Sequence, residues 1–288
     1  MAGPCRARAG AGRALVGRRR GAAVNVVFCN GLPATVEDLA APALRNDGHF
    51  TTFQLRGGAV LGLALHLQRL DTATRALFGV GLDAARVRKA LSAPLAATAT
   101  RDATVRITVV PRAGSAGEGA APEVDVLVSL APPAEPGTAP LRLQSFVFQR
   151  DTPAIKHAGT FPLFQHQRLA RRAGADDALF VDASGHVIEG TVWNLGLWDG
   201  HTLTWPQADA LRGTRERLLQ AGLSALGVPQ RIRPAALAEL AAPIAAFACN
   251  SRGQQRIGSV DGRPLSLAPE LDGLLAQALA TQPAEPVD

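Results

Sequence analysis

The chain has 288 residues, of which 47% are hydrophobic, and a formal net charge of +6. This length and composition allow a sizeable buried core and favour two domains. No apolar run approaches the roughly 20 residues that a membrane helix needs. The three cysteines, Cys5, Cys29 and Cys249, lie too far apart in sequence to indicate a disulfide framework or a zinc site. We therefore expect a cytoplasmic protein that does not associate with membranes.

The positive charge is concentrated at the N-terminus. Six arginines precede the first acidic residue, Glu37, and they account for the whole formal excess: Arg6, Arg8, Arg13, Arg18, Arg19 and Arg20. We expect residues 1–23 to be a disordered tail, or an upstream extension of the true start, and not a basic domain face. A nucleic-acid-binding arm is the less favoured alternative, and we predict no nucleic-acid partner.

Residues 24–130 are predicted to form a small α/β domain. Leu63, Leu67 and Leu70 recur at helical spacing, whereas apolar and polar residues alternate around 105–109 and 124–128 as in half-buried strands. In chain order, we expect a strand over 24–29, a short helix capped by Thr35, a helix over 63–78 ended by Gly79, a helix starting after Asp83 and disturbed near Pro94, and the two strands.

A larger domain is predicted for residues 141–288, after a linker over 131–140. The linker is rich in proline and nearly devoid of bulky apolar residues, so we expect it to be extended and not to pack. The Asp199-Gly200 pair predicts a hairpin turn. The remaining expected elements are a strand over 141–148, a helix over 214–226, a short helix over 235–241, strands over 245–249 and around 257–260, and a last helix from Pro269.

Lys156 is one of only two lysines in a chain that otherwise uses arginine for its positive charge. A lysine amine can lose its proton when desolvated and then attack a carbonyl, whereas arginine stays protonated. The other lysine, Lys89, lies in a charged run typical of a solvated surface. Lys156 precedes a predicted helix opening at 160–162, and a hairpin then carries Glu189. A lysine and a carboxylate on neighbouring strands suit a pyridoxal phosphate (PLP) site, and an ordinary ion pair explains the same spacing equally well.

The stretch 154–194 contains three sequence features in order. They are Lys156, the turn Gly174-Ala175-Asp176-Asp177-Ala178, and the run DASGHVIEGTVWN from Asp182 to Asn194. Together they resemble the central block of the class IV aminotransferases (fold type IV PLP enzymes), which include branched-chain and D-amino acid aminotransferases and aminodeoxychorismate lyase. The resemblance spans residues 24–265. It implies an α/β fold with a small α/β N-terminal domain and a larger C-terminal domain with a barrel-like sheet. It also implies PLP between the domains and a homodimer.

The resemblance assigns Lys156 as the Schiff-base lysine and Glu189 as the partner of the pyridine nitrogen. Gly213 and Thr214 lie at the start of a predicted helix, whose N-terminal N–H groups would favour a phosphate; a plain threonine N-cap is the alternative. The remaining cofactor-binding candidates are Arg69 in the pattern His-x-x-Arg-Leu, Asn194 and Ser251.

Candidate substrate-binding residues come from two strands of the first domain. Arg106 alternates with Val105 and Ile107, so it should face away from the core, and a guanidinium suits a substrate carboxylate. His49, Thr51 and Thr52 lie where the family's first-domain strand borders the substrate.

One residue departs from the family pattern. Many family members have a tyrosine five residues after the lysine, contacting the cofactor's ring oxygen. This chain has Phe161 there and no tyrosine at all, so Asn194 or a water would have to replace that contact.

The predicted function is a PLP-dependent aminotransferase that moves an amino group between an amino acid and a 2-oxo acid. An elimination like that of aminodeoxychorismate lyase, releasing pyruvate, is the alternative, and Thr51-Thr52 resembles that branch. A relative that has lost catalysis and only binds PLP or a partner is a third possibility. The six histidines show no metal-ligand spacing, so no metal is expected.

Overall fold

The computed structural model describes residues 26–112, 114–115 and 121–287. The predicted tail over 1–23 therefore lies outside the described residues. Within them the α-helices are α1 (Val36–Arg45), α2 (Leu63–Phe78), α3 (Ala84–Thr98), α4 (Phe161–Arg172), α5 (Thr214–Ala225) and α6 (Pro269–Ala280). None of these helices combines the length and the hydropathy that a membrane span requires.

The strands group into two large sheets and one small one. In the first half they are β1 (Val26–Cys29), β2 (Leu32–Pro33), β3 (His49–Leu55), β4 (Ala59–Leu61), β5 (Ala103–Pro111) and β6 (Val124–Ala131). In the second half they are β7 (Leu141–Val147), β8 (Asp177–Val181), β9 (Val187–Gly190), β10 (Asn194–Trp198), β11 (Leu203–Pro206), β12 (Gln230–Arg233), β13 (Ala245–Asn250), β14 (Gly253–Val260), β15 (Arg263–Pro264) and β16 (Ala284–Pro286).

The first sheet is antiparallel, with the strand order β2-β1-β6-β5-β3. The predicted alternation holds along β5, where Val105, Ile107 and Val109 are buried in one core with the apolar faces of α2 and α3. Burying each such side chain contributes roughly 1.5–3 kcal/mol. The opposite face of β5 and β3 carries polar side chains, among them Arg106 and Thr52.

The second sheet follows the order β12-β11-β10-β13-β14-β7-β8-β9, with β15 added beside β14. The sheet curls, since β9, at one end of this order, is followed after three residues by β10, which lies in the middle of it. At the turn between them the Gly190 N–H donates to the Trp193 carbonyl (2.9 Å). α5 and α6 pack together over one face, and α4 packs beside β8. The predicted α/β fold with a barrel-like second sheet is confirmed.

Two predicted helices differ from the structure. α3 continues through Pro94, where we expected a disturbance. A proline removes one helical hydrogen bond, but Pro94 is buried with Val87 and Leu91 on the core-facing side of α3, and this packing offsets the loss. Over 235–241 there is only a short 3₁₀ turn at Leu237–Glu239.

The predicted linker contains no helix or strand over 132–140, but the expectation that it does not pack is wrong. Arg56 donates to the Ala134 carbonyl (3.1 Å), and the Gln255 side chain donates to the Ala139 carbonyl (2.6 Å). The carbonyls of an extended chain remain strong acceptors, so lack of apolar bulk does not prevent docking. The division into domains stays a prediction. Late in the chain, β16 pairs with β4, and Val287 joins the first core.

Candidate active site

A cavity lies between the open face of the first sheet and the second half of the chain. Nine of the eleven predicted site residues line it: Thr52, Arg69, Arg106, Lys156, Glu189, Asn194, Gly213, Thr214 and Ser251. They come from β3, α2, β5, the segment before α4, β9, β10, the start of α5 and the β13–β14 turn. His49 and Thr51 are not among the lining residues.

Lys156 lies in the irregular segment between β7 and α4, and not on a strand as the sequence suggested. Its carbonyl accepts from the Phe50 N–H (2.9 Å), and the Ala158 N–H donates to the Gly48 carbonyl (2.7 Å). These bonds attach the segment to the outer edge of β3, which is an end strand of the first sheet. The backbone of the lysine is therefore fixed by the first sheet, while its neighbours in the cavity come mostly from the second half.

The surroundings of Lys156 favour its neutral amine. Burial, together with the positive charges of Arg69 and Arg150, lowers the pKa of Lys156 to about 7, while Glu189 opposes this shift. A cationic group loses stability when it is removed from water and placed near like charges. Half of the amine is therefore unprotonated and nucleophilic at neutral pH.

Glu189 forms a buried ion pair with Arg150, which sequence reasoning missed. The Arg150 Nε donates to Glu189 Oε1 (2.6 Å), and the two side chains are only 4% and 3% exposed. The Arg150 Nη2 also donates to the Thr191 carbonyl (3.4 Å). Burial raises the pKa of Glu189, and the charge of Arg150 acts against that rise. The partner of the glutamate is thus an arginine, and not Lys156 as in the simple ion-pair alternative.

The start of α5 provides an anion-binding surface in the cavity. Its first backbone N–H groups have no carbonyl partner within the helix, and the helix dipole favours negative charge there. A Cβ added at Gly213 would come within 2.2 Å of Asn194 Oδ1, so only glycine allows this close approach. Asn194 is held by donating to the Leu211 carbonyl (2.8 Å). Thr214, the first residue of α5, is buried beside Gly213.

Arg69 adds a positive charge to the same end of the cavity. It projects from α2 and donates to the Arg212 carbonyl (2.6 Å), two residues before α5. Burial lowers the pKa of Arg69 to about 10, so the guanidinium remains charged at neutral pH. Ser251 lies opposite, directly after β13, and also lines the cavity. The Gly213 N–H donates to Glu216 Oε2 (3.3 Å). The N–H groups that follow it in α5 remain, together with the cation and the hydroxyl, as the donors that a phosphate group requires.

The cavity wall on β3 differs from the predicted one. The Thr51 hydroxyl shares a hydrogen bond with His66 Nδ1 (2.6 Å), and His49 Nε2 shares one with the Thr74 hydroxyl (2.9 Å). Both pairs lie on the side of β3 that faces the first core. Both side chains are fully buried. Successive strand residues face opposite sides, so Phe50 and Thr52 line the cavity instead. The prediction that His49 and Thr51 contact the substrate does not fit these buried positions, whereas Thr52, which was predicted with them, lines the cavity.

Arg106 points into the cavity as its alternation with the core residues predicted. Its guanidinium carbon lies 3.5 Å from the centroid of the Phe50 ring, and its Nε donates to Thr108 (3.2 Å). It forms no ion pair with any described residue. A charged fork that stacks on an aromatic ring and has no acidic partner is available to bind a carboxylate.

The sequence did not predict that Trp193 and its partner Asp177 form part of the cavity wall on the second-sheet side. The Trp193 side chain lines the cavity, and its Nε1 donates to the buried Asp177 (2.9 Å), which also accepts from Thr191 (2.8 Å). Phe161, at the family's tyrosine position, is 70% exposed and outside the cavity. The described residues contain no cluster of three or more histidine, cysteine or acidic side chains that suits a metal ion.

Known proteins resemble this chain in sequence and in fold. One curated relative, the bifunctional aminodeoxychorismate lyase / D-amino acid transaminase of Mycobacterium tuberculosis, is 30% identical over 173 residues. That match covers 54% of this chain and 57% of the relative, so the chain matches little more than half of the relative's length.

Two solved structures share the fold. A branched-chain aminotransferase from Thermoproteus uzoniensis with norvaline superimposes with a TM-score of 0.77 at 19% identity, covering 88% of this chain and 93% of that one. A hypothetical aminotransferase from Mycobacterium tuberculosis, in a PLP-bound form, gives 0.72 at 21%, covering 88% and 98%. The sequence model of amino-transferase class IV matches residues 48–259, and the chain therefore belongs to the class IV aminotransferase family.

Proposed function

We propose that the chain is a PLP-dependent aminotransferase that transfers an amino group between an amino acid and a 2-oxo acid. One observation carries the proposal: Lys156, with a pKa near 7, shares a cavity with the buried carboxylate of Glu189 and the open start of α5. The glycine at position 213 and the donors around it fit a phosphate. When bound, PLP supplies a reactive aldehyde and an electron-accepting ring.

Each residue has a distinct role in this proposal. Arg69, Ser251 and the backbone at Gly213 and Thr214 hold the phosphate, and Asn194 supports this cradle. Glu189 accepts a hydrogen bond from the ring nitrogen and keeps that nitrogen protonated. The neutral amine of Lys156 would hold the cofactor covalently and would be the base that moves a proton on the substrate. Phe50 and Trp193 cover apolar parts of the cavity and exclude water.

Substrate carboxylate binding is assigned to Arg106, with Thr52 beside it. Thr52 and Arg106 are direct partners across β3 and β5, so both side chains face the cavity together. Arg106→Gln should raise KM for the amino acid at least tenfold, because a guanidinium–carboxylate pair contributes more than 1.4 kcal/mol, about one factor of ten. The stability of the protein should change little. An unchanged KM would remove Arg106 from the substrate site.

The experiment that tests the cofactor is spectroscopic. Purified protein incubated with PLP should show the near-visible absorbance of the bound cofactor, and dialysis should not remove it. Lys156→Ala should lose this band, whereas Lys89→Ala, which changes a lysine on the exposed face of α3, should keep it. Wild-type protein without any such band after PLP addition would overturn the proposal. A band without turnover of any amino donor would favour the binding-only alternative.

Elimination is the second candidate activity. Thr52 faces the cavity, no tyrosine is available in the sequence, and the curated relative is described as carrying both lyase and transaminase activities. A substrate panel separates the two reactions. Strict dependence on a 2-oxo acid acceptor supports transfer, and pyruvate release without an acceptor supports elimination.

We further propose that the protein is a homodimer in the cytoplasm. Phe161 and Phe164 are exposed on α4, and Phe164 also borders the cavity, so a second copy could cover this apolar surface. Cys29 and Cys249 are free thiols, as expected in a reducing compartment. Light scattering at micromolar concentration should report the mass of two chains, and a monomer mass would contradict the dimer.

A further inference from the structure

A second cavity adjoins the first behind the start of α5. It lies where β3, β4, α2, α5 and β16 meet, and residues 214, 215, 251 and 252 line both cavities. Its volume is about 170 Å³, whereas a single water needs only about 10–15 Å³ by a similar measure. The space therefore accommodates a small polyatomic ligand.

Gln54 lines this cavity and carries a buried donor without a partner. Its Oε1 accepts from Arg56 (3.1 Å), Thr104 (3.1 Å) and the Ala134 N–H (3.0 Å). Reversing the amide would place an NH2 group against three donors, so its orientation is fixed. The Gln54 Nε2 is consequently buried without any hydrogen-bond partner. A buried donor of this kind costs about 1–3 kcal/mol unless an acceptor is supplied.

Arg215 lines the same cavity with an unmatched charge. It forms no ion pair or side-chain hydrogen bond with any described residue, and burial lowers its pKa. The charged side chains that act on it are Glu135 and Arg56, which are paired with each other, and not Lys156 or Arg69 of the first cavity. Its guanidinium, which borders both cavities, has no acidic partner among the described residues.

No other described group cancels this charge. His66 lines the cavity, but burial lowers the pKa of His66 to about 3, so the ring is neutral. Arg252 adds a further positive charge at the rim, and the hydroxyl of Ser251 is a further donor. The cavity thus presents donors and positive charge, and its one carboxylate, on Glu135, is already paired with Arg56.

We propose that the second cavity binds a small oxyanion, either a carboxylate or a phosphate, through Arg215 and the Gln54 amide. Both ligands offer several acceptor oxygens that match a guanidinium fork and a neighbouring N–H donor. This site adjoins the one assigned to the cofactor phosphate, which uses Arg69, Gly213, Thr214 and Ser251, but neither Arg215 nor Gln54 belongs to that set. Because Arg215 follows the first residue of α5, occupation of the second cavity acts directly beside the cofactor cradle.

The test uses PLP-loaded protein in which borohydride has fixed the cofactor to Lys156, so that added anions cannot replace its phosphate. Thermal unfolding is followed in sodium phosphate, sodium acetate and sodium chloride at equal ionic strength. A ligand that binds only the folded protein raises Tm in a saturable way. A rise with phosphate alone identifies a phosphate site, and a rise with acetate also identifies a general carboxylate site. Equal Tm values in all three salts would overturn the proposal.

The variant Gln54→Glu makes the test specific. It is isosteric and keeps the accepting oxygen, but it places a carboxylate oxygen where the unsatisfied N–H lies, in the wall of the cavity that Arg215 also lines. Anion affinity should fall at least tenfold, about 1.4 kcal/mol. Gln68→Glu makes the same charge change at an exposed position of α2 and should retain the wild-type response. A Gln54→Glu protein with the full response would also overturn the proposal.

Two additional measurements cover a Gln54→Glu variant that does not fold and a wild-type protein that binds no PLP. If Gln54→Glu does not fold, Arg215→Gln should give the same loss of anion response, and a retained response would refute the site. If the wild-type protein binds no PLP, the proposed function fails. In that case the difference between wild type and Gln54→Glu in unloaded protein still tests the second cavity.

Discussion

The low pKa of Lys156 should appear in the stability of the cofactor-free protein. An unfolded lysine titrates at 10.5, whereas Lys156 in the folded protein titrates at about 7. Between these values the unfolded chain binds nearly one more proton than the folded one, so the free energy of unfolding increases with pH. Below pH 7 both states are protonated and the full cost of burying the charge is present. Lys156→Met removes this titration.

The expected size follows from one proton. A full proton difference changes the free energy of unfolding by about 1.4 kcal/mol per pH unit. At pH 8 the folded lysine retains roughly a tenth of its proton, so the slope is still roughly 1 kcal/mol per pH unit. The free energy of unfolding of wild type minus that of Lys156→Met should therefore increase by roughly 1 kcal/mol as the pH rises from 7.5 to 8.5. Only this slope is predicted, because the substitution also changes packing.

Urea unfolding at closely spaced pH values measures the difference directly. Lys89→Met makes the same substitution at an exposed position of α3 and controls for the loss of a lysine. Cys29 adds its own pH dependence, because burial raises its pKa to about 11 in the folded protein, whereas an unfolded thiol titrates at about pH 8.5. This contribution is common to wild type and variant and cancels in their difference. A difference between wild type and Lys156→Met that does not change with pH would refute the desolvated amine.

Three further outcomes test the cavity. Glu189→Gln should slow substrate proton transfer at least 100-fold, about 2.7 kcal/mol, in single-turnover kinetics. It should also lower the free energy of unfolding by up to about 3 kcal/mol, because its buried arginine partner loses a counter-charge; equal stability would contradict this. Gly213→Ala should weaken PLP binding at least tenfold in fluorescence titration, whereas Gly273→Ala, with open space around the added methyl group, should not. Thr52→Val should raise KM with little change in Tm, whereas Thr51→Val should lower stability by about 1–2 kcal/mol and leave KM unchanged.

Local signals predicted most of the elements. Thr35 caps α1 and Asp83 caps α3 through their side chains, and Gly79 ends α2 in the left-handed conformation, all as expected from residue type. These features depend on neighbours within one helical turn. The order of the motif from Lys156 to Asn194 then sufficed to identify the family and the second sheet.

Contacts between distant strands could not be predicted in the same way. The pairing register places Thr52 opposite Arg106 and Thr51 opposite Ile107, and this alone decides which threonine faces the cavity. A shift of one residue would reverse the choice. The ion pair of Arg150 with Glu189 spans 39 residues, and it exists only because the sheet path brings the two segments together. Sequence spacing contains neither piece of information.

The attachment of the lysine segment to β3 has a mechanical consequence. Phe50 and Gly48 hold Lys156 and Ala158 by backbone hydrogen bonds, while Glu189 belongs to the second sheet. A small rotation between the two halves of the molecule would therefore carry the amine with the first sheet and leave the carboxylate behind. The distance between the Lys156 amine and the Glu189 carboxylate would then report how far the two halves have closed on the cavity. A substitution at a hinge far from the cavity would change the reactivity of the amine without contacting it.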